Sequence, residues 1–203
     1  MSWPTTPRPQ SVLIESFEPS LFSTTQSLKR IVRLRGGHRW YVKTEYSVLI
    51  RSEWAPLNAY AQSLRGIYDK FSYVIAGVGE AGRGTMLGTP VVDAIHAAGV
   101  RTVNVKGMTN SAPLVFRADD YVKFAGHAKV YKVTADANAD GSGKVTLAIM
   151  PDLVAALANN EAITYASVPM QCALLTDRHG IKYGGGLVAR EGMTYEMIED
   201  PYS

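Results

Sequence analysis

The sequence predicts a mainly β protein, a β-rich α+β chain with one helix, that folds as two domains. Short runs of alternating or β-branched residues recur along the 203 residues, and one segment has the spacing of an amphipathic helix. The composition changes at the glycine-rich stretch 77–84, which is typical of a domain boundary. Hydrophobic residues make up 46% and charged residues 19%, as expected for a folded chain with a core.

The N-terminal part is expected to be an extended arm followed by β-structure. Residues 1–10 contain three prolines, which fix φ and remove backbone donors. A β region is expected from Ser11 to Glu15. The runs Leu28 to Arg35 and Arg39 to Ser47 flank Gly36-Gly37 and predict a hairpin. The second run alternates, so one of its faces is expected to be buried: Trp40, Val42, Thr44 and Tyr46.

The one predicted helix runs from Ser52 to Arg65. Ser52 is expected to be its N-cap, Pro56 lies near the first turn, and Gly66 is expected to stop it. Its apolar stripe comprises Trp54, Leu57, Ala61 and Leu64. Residues 71–76 predict another strand.

The region beyond residues 77–84 is dense in short strands. Four are expected, at Val100 to Val105, Asp120 to Ala125, Lys129 to Thr134 and Lys144 to Met150. This density is typical of a small β-barrel or sandwich. A helical turn is expected at 151–158. Strands are then expected to resume at Ile163 to Leu175, Ile181 to Val188 and Met193 to Ile198.

Charge and composition exclude several classes of protein. The net charge of +3 is too small to indicate nucleic-acid binding by itself. No apolar run approaches the roughly 18 residues of a membrane helix, and residues 1–9 lack the apolar stretch of a signal peptide. Cys172 is the single cysteine, so neither an intrachain disulfide nor a cysteine-based metal site is expected. Synthesis in a reducing cytoplasm is therefore expected.

The segment Gly77-x-Gly79-x-x-Gly82 imitates a dinucleotide-binding loop. In such a loop the glycines open a helix whose N-terminus holds the pyrophosphate. Gly84, Gly88 and Pro90 would delay the only candidate helix, Val91 to Ala98, and Lys106 follows the next strand where an acidic residue is needed. A linker is the preferred interpretation, and no cofactor is expected.

The segment Asp136-x-Asn138-x-Asp140-Gly141 matches the first half of a calcium-binding loop. The twelfth position should hold a bidentate glutamate, but it is Leu147. Asp, Asn and Gly are also the residues that a turn selects. A turn between two strands is the preferred interpretation, with a weak calcium contact left open.

A basic run lies in the first predicted hairpin. It comprises Lys29, Arg30, Arg33, Arg35, Arg39 and Lys43. These side chains could meet phosphate, but a solvated or subunit-facing sheet face is the preferred interpretation. Acidic partners in the same or an adjacent chain are available at Glu45, Glu191, Glu196 and Glu199.

No catalytic set emerges from the sequence. The histidines His38, His96, His127 and His179 lack the spacing of a metal site, and there is no Gly-x-Ser-x-Gly elbow. His127 and His179 each stand beside a glycine and are interpreted as turn residues. We therefore expect no catalytic, cofactor-binding or metal-binding residues and no enzymatic activity.

Two segments carry a resemblance to a known family. Residues 118–134 read ADDYVKFAGHAKVYKVT, and their sequel runs from GSGKVTL at 141–147 to Met150-Pro151-Asp152-Leu153. They resemble the inserted barrel of distal tail proteins of long-tailed bacteriophages. The N-terminal part is similar in style, at Ser27-Leu28-Lys29-Arg30, at residues 35–40 and at Trp54-Ala55-Pro56-Leu57. The resemblance covers most of the chain and is weakest at 85–116 and in the last 25 residues.

The resemblance implies an architecture and a role. Residues 1–84 and 164–203 would form a discontinuous ring domain, a β-sandwich or split barrel with one helix. Residues 85–163 would form an inserted barrel that resembles an oligonucleotide/oligosaccharide-binding (OB) fold. The protein would form a hexameric ring at the distal end of the virion tail, in the tail tip or baseplate. Its partners would be itself, the tail tube protein, the hub protein and, further out, receptor-binding or fibre proteins, with no membrane and no sequence-specific nucleic acid.

A carbohydrate-binding tail module that touches the host surface is the alternative. Barrels of this type bind sugars, and the candidate aromatic contacts are Phe116, Tyr121, Phe124 and Tyr131. Strand alternation is expected to bury about half of them.

Overall fold

A computed structural model of the chain describes residues 1–182 and 192–201, and over these residues the fold is mainly β, as predicted. The helix is α1 (Arg51–Ser63). The strands are β1 (Ser11–Phe17), β2 (Ser20–Thr24), β3 (Arg30–Leu34), β4 (Arg39–Glu45), β5 (Lys70–Val74), β6 (Gly88–Val92), β7 (Thr102–Met108), β8 (Tyr121–Phe124), β9 (Val130–Val133), β10 (Val145–Met150), β11 (Ile163–Thr164), β12 (Pro169–Leu174) and β13 (Thr194–Glu199).

The described chain divides into two compact units. The barrel unit contains residues 1–3, 72–171 and Pro201. The sheet unit contains residues 4–71, 172–182 and 192–200. The division falls within β5 and β12, several residues from the glycine-rich stretch 77–84.

A five-stranded sheet has the order β1-β4-β13-β12-β5. The alternation predicted for β4 is confirmed, because Trp40, Val42 and Thr44 are buried, as is Tyr46 just beyond the strand. β13 repeats the pattern and buries Tyr195, Met197 and Glu199. One face of this antiparallel sheet is therefore apolar, while its other face stays partly exposed.

The predicted hairpin between the third and fourth strands is wrong. β3 pairs with β2, and β4 pairs with β1 and β13. The four strands form one long interrupted hairpin. Phe17↔Arg39 is the last pair of β1 and β4, and Ser20↔Leu34 is the first pair of β2 and β3, which continue toward the turn. Gly36 and Gly37 both have positive φ, at 70° and 78°, so they redirect the chain between the two ribbons instead of closing a tight turn.

The predicted helix is present, but Ser52 is not its N-cap. The helix begins at Arg51, after Ile50, whose amide donates to a Glu53 carboxylate oxygen at 3.1 Å. This hydrogen bond is one half of a capping box, because the Ile50 side chain has no acceptor for a return bond. The predicted stripe is confirmed as buried: Trp54, Leu57, Ala61 and Leu64.

The barrel unit contains a six-stranded sheet in the order β11-β8-β9-β10-β7-β6. Its outer strands nearly meet, because Val91 bridges Ala162 and the Val92 amide donates to the Glu161 carbonyl at 2.9 Å. Its core includes Val103, Phe116, Val122, Phe124, Tyr131 and Leu147. The four predicted strands are confirmed. The helical turn expected at 151–158 is absent from this part of the structure, where Leu153 and Leu157 pair with other backbone segments instead.

The dinucleotide-binding interpretation of the glycine-rich stretch fails on local structure. Residues 88–92 form β6, which is antiparallel to β7, so no helix follows the glycines before residue 98. A strand in this position presents no helix N-terminus to a pyrophosphate.

The strand predicted from Ile181 to Val188 lies mainly outside the described residues.

The extended arm predicted for residues 1–10 is docked within its own chain at its start. Trp3 is only 4% exposed. Its amide donates to the Ser72 carbonyl at 2.8 Å, and the Ser72 amide donates to the Met1 carbonyl at 2.8 Å. Residues 1–3 therefore pair beside β5 in the barrel unit and are not free to lie across a neighbouring subunit.

Candidate assembly surface

The most exposed apolar segment of the sheet unit is the ribbon of β2, β3 and their turn, residues 20–34, here called the hairpin arm. All ten residues of its two strands are exposed. The exposed fractions reach 71% for Phe22, 84% for Leu28 and 65% for Leu34. Leu21, Ile31 and Val32 are exposed as well. Contiguous apolar surface of this kind marks a contact site in soluble proteins.

The arm has no second layer of its own. Its two strands form a separate two-stranded sheet, and an isolated two-stranded hairpin is marginally stable in water. Its turn is held by Thr25, whose amide donates to the Lys29 carbonyl at 3.0 Å and whose carbonyl accepts the Leu28 amide at 2.9 Å. Leu28 lies in the left-handed region, with φ 59°. The arm is therefore expected to become ordered against a partner surface.

The basic run divides between the arm and β4. Lys29, Arg30 and Arg33 lie on the arm, and Arg35 follows it. Arg39 and Lys43 lie on β4 and contact acidic groups of the same unit: Arg39 with Asp200 at 3.9 Å and Lys43 with Glu45 at 3.0 Å. The hydrogen bond to Lys43, with a second from Ser11, lowers the pKa of the Glu45 carboxyl. The positive charge open to a partner is therefore mainly that of the arm.

Of the acidic partners proposed for an adjacent chain, Glu199 is ruled out. It is fully buried, and one of its carboxylate oxygens accepts the Trp40 amide at 3.3 Å. It shares its face of β13 with Tyr195 and Met197, so the period of two could have placed it inside from sequence alone. Glu196 lies on the opposite, half-exposed face, and Glu191 lies outside the described residues.

The aromatic residues considered for carbohydrate binding form the barrel core. Phe116, Phe124 and Tyr131 are fully buried, and Tyr121 is 2% exposed. A sugar ring needs an exposed aromatic face, so these four residues cannot supply one. The barrel exterior near β7 and β10 is polar instead, and Asp93 there contacts Lys144 at 2.8 Å. The hydrogen bond to Lys144 is the main cause that lowers the pKa of the Asp93 carboxyl.

The side chains of the calcium-like segment, residues 136–141, accept hydrogen bonds from backbone amides. Asp136 Oδ1 accepts the Ala118 amide at 2.8 Å, and Asn138 Oδ1 accepts the Leu114 amide at 2.7 Å. Asp140 Oδ1 accepts the amides of its own turn, Ser142 at 2.7 Å and Lys144 at 2.9 Å. These backbone bonds lower the pKa of the Asp140 carboxyl. Across residues 1–182 and 192–201, no group of three acidic, histidine or cysteine side chains is arranged to hold a metal.

We predict that calcium does not appreciably stabilise the protein. The oxygens of Asp136, Asn138 and Asp140 are engaged with backbone amides, and position 147 is a buried leucine. A ligand stabilises a fold only when its concentration exceeds its dissociation constant. Thermal unfolding with and without millimolar calcium should give the same midpoint. A rise of several degrees that Asp140→Ala abolishes would contradict this prediction.

The histidines take structural positions. His38 is buried, within 2.9 Å of Ser16 Oγ, with its ring edge-on to Trp40. His127 stacks on Phe124 and contacts Tyr131, and burial lowers its pKa. His96 Nε2 lies 3.1 Å from the Asn104 amide, from which it accepts.

Sequence reasoning missed a buried carboxylate that ties the barrel to its entry segment. Asp120 is 1% exposed and accepts three backbone amides: Arg83 at 2.5 Å, Gly84 at 3.1 Å and Arg117 at 2.8 Å. Position 84 must be glycine, because a side chain there would collide with the Val115 carbonyl. The glycine-rich stretch therefore serves close backbone packing, and nothing in its pattern identified Asp120 as its partner.

The described residues have a β-rich fold with an exposed apolar hairpin arm. Residues 83–168, less than half of the chain, match the family model described as distal tail protein pb9, B domain. This part of the chain is thus similar to the B domain of a phage distal tail protein, in agreement with the resemblance seen in residues 118–153. The protein has a structural role in a phage tail and is located in the virion tail.

No curated protein matches the chain. The helix in the described residues is too short and too polar to cross a membrane.

Proposed function

We propose that the chain forms a closed homo-oligomeric ring, expected to be a hexamer, at the distal end of the tail. The ring joins the tail tube to the hub and, further out, to receptor-binding or fibre proteins. The observation that supports this most directly is the hairpin arm, whose apolar side chains have no layer over them in the sheet unit. A repeated contact between unlike surfaces of one chain generates such a ring.

Apolar contact must supply most of the affinity in this proposal. Exposed ion pairs contribute only about 0–1 kcal/mol each, because water and salt screen them. Burial of apolar surface contributes roughly 25 cal/mol per Å², so the arm offers far more through its exposed apolar side chains than through its charges. The hairpin arm is therefore the expected assembly element.

We further propose that residues 85–163 form an OB-like barrel inserted into a ring domain made of residues 1–84 and 164–203. The chain segments that enter and leave the proposed insertion, here called its stems, run side by side. Ala81 bridges Ala166, and the Val168 amide donates to the Gly79 carbonyl at 2.9 Å. The family match over residues 83–168 has nearly the same limits. Paired stems are the expected geometry for a domain that leaves and re-enters another.

A variant that joins residue 84 to residue 164 through a short Gly/Ser linker should remain folded. The paired stems bring the two ends close together, so the linker adds little loop-closure entropy. Urea unfolding followed by circular dichroism should show one cooperative transition, with the full chain as the control. Loss of cooperative unfolding in the variant would contradict the insertion.

Sedimentation of the full chain over a wide range of concentration tests the ring. A closed ring should appear as one discrete species whose mass stops increasing, because all its interfaces are satisfied. Continuous growth into larger polymers would contradict closure.

A further inference from the structure

We propose that one face of the hairpin arm binds the outer face of β1, β4 and β13 in a neighbouring copy of the chain. This inference rests on the proposed ring and names the two surfaces that meet. Both surfaces belong to the sheet unit, and they differ from each other. Their contact is therefore heterologous, as ring closure requires.

The strand register divides the arm into two faces. Residues opposite each other in an antiparallel pair point to the same side. The pairs Leu21↔Arg33 and Ser23↔Ile31 define one side, here called the basic face. The other side, here called the apolar face, comprises Ser20, Phe22, Thr24, Arg30, Val32 and Leu34.

Each face of the arm's two strands carries one cation, Arg33 on the basic face and Arg30 on the apolar face, while Lys29 lies in the turn. On the apolar face, the Arg30 guanidinium lies 5.9 Å from the centre of the Phe22 ring and is engaged within the arm. On the basic face, the exposed Arg33 stands between exposed aliphatic side chains, Leu21 across the ribbon and Ile31 along the strand. The basic face therefore combines exposed aliphatic side chains with the guanidinium group of Arg33.

The outer sheet face carries the complementary groups. Along β1 the outward residues are Leu13, Glu15 and Phe17, all exposed. Their neighbours on β4 are Lys43, Tyr41 and Arg39. On β13, Glu196 lies opposite Lys43. Two exposed apolar side chains therefore flank a carboxylate, with a second carboxylate two strands away. We call this surface the acidic face.

The two faces match in chemistry, because each places exposed apolar side chains beside a charged one. Arg33 has Ile31 about 7 Å away along its strand and Leu21 across the ribbon. Glu15 has Leu13 and Phe17 at the same distance along its own strand. Arg33 would then meet Glu15, and arginine pairs with carboxylate through two parallel hydrogen bonds. Among the described strands, β1 is an edge of its sheet. A second copy is the occupant, since this one chain carries both members of the match.

Cysteine cross-linking tests the contact directly. One full-length variant carries Leu21→Cys and the other carries Leu13→Cys, and they are mixed and oxidised. Native Cys172 is completely buried, so it should add no background. A disulfide-linked dimer that contains one copy of each variant is expected. The matched control is Phe22→Cys, which is the next residue along the strand but lies on the apolar face. Ile95→Cys, at an exposed residue of the barrel unit, is the second control.

A charge exchange gives a second readout. Adding Arg33→Glu to the first variant should reduce the yield several-fold, and adding Glu15→Arg to the second should restore it. The inference is overturned if Phe22→Cys cross-links as well as Leu21→Cys, if Leu21→Cys links only to itself, or if no mixed dimer forms. If a discrete ring still sediments without the mixed dimer, this contact is wrong and the ring stands. If neither is seen at any concentration, both fail.

Discussion

Replacement of residues 20–34 by a short Gly/Ser linker is expected to abolish self-assembly and to leave the fold intact. The replaced segment is the end of the hairpin that contains the turn, so β1 and β4, whose last pair is Phe17↔Arg39, keep their register. All strand residues removed are exposed, so the core loses nothing. At roughly 25 cal/mol per Å² of buried apolar surface, loss of the arm removes several kcal/mol of association free energy. Sedimentation should show a monomer at concentrations where the full chain assembles.

The matched control for this change is Ile95→Ser. Ile95 is 78% exposed, comparable to Phe22 and Leu28, but it lies on the barrel unit and not on the arm. Its substitution should leave assembly and thermal unfolding unchanged. Assembly of the arm-deleted protein at the normal concentration would show that the arm is not the interface.

Asp120→Ala is expected to lower the free energy of unfolding by about 3–5 kcal/mol, because three backbone amides lose their acceptor. The amides of Arg83 and Gly84 lie in the entry segment, and that of Arg117 precedes β8. The carboxylate is 1% exposed, so water cannot replace it without opening the structure. Chemical denaturation followed by tryptophan fluorescence and circular dichroism measures the change.

The control is the neighbouring carboxylate. Asp119 is exposed and pairs with Lys132. Asp119→Asn removes the charge and keeps a residue type that tolerates the positive φ of 82° at this position, so it should cost at most about 1 kcal/mol, as exposed ion pairs do. Equal losses from the two substitutions would mean that the amide clamp of Asp120 has no special importance.

The strands with one buried face could be predicted from sequence because their side chains alternate. β4 is an example, since Trp40 and Val42 lie on the apolar side and Tyr41 and Lys43 on the other. The barrel strands β7 to β10 were predicted from short β-like runs, whereas β6 was not predicted. These patterns reflect burial within a single chain, which is recorded in the period of two.

In the hairpin arm, β3 was predicted within Leu28 to Arg35, but β2 and its pairing with β3 were not, because all residues of the two strands are exposed. Ser20 to Thr24 does not alternate, and the turn at residues 25–29 contains no glycine or asparagine. Gly36-Gly37 gave a stronger but misleading turn signal. An element that is completed by a partner leaves no intrachain pattern to read.

The assembly residues were placed correctly in part. Arg30 and Arg33 do lie on an exposed surface, but Glu199 is buried in its own unit and Trp3 anchors the N-terminus within the barrel unit. Charge alone cannot distinguish a surface carboxylate from one that accepts a buried amide. The period of two along β13 makes that distinction, because Glu199 shares a face with Met197.

The most direct test of the central claim is a reconstruction by electron microscopy of the distal end of the assembled tail. The expected result is a closed ring of identical copies between the tube and the hub, with each hairpin arm lying against the next copy. A single copy of the chain, or copies located away from the distal end, would contradict it.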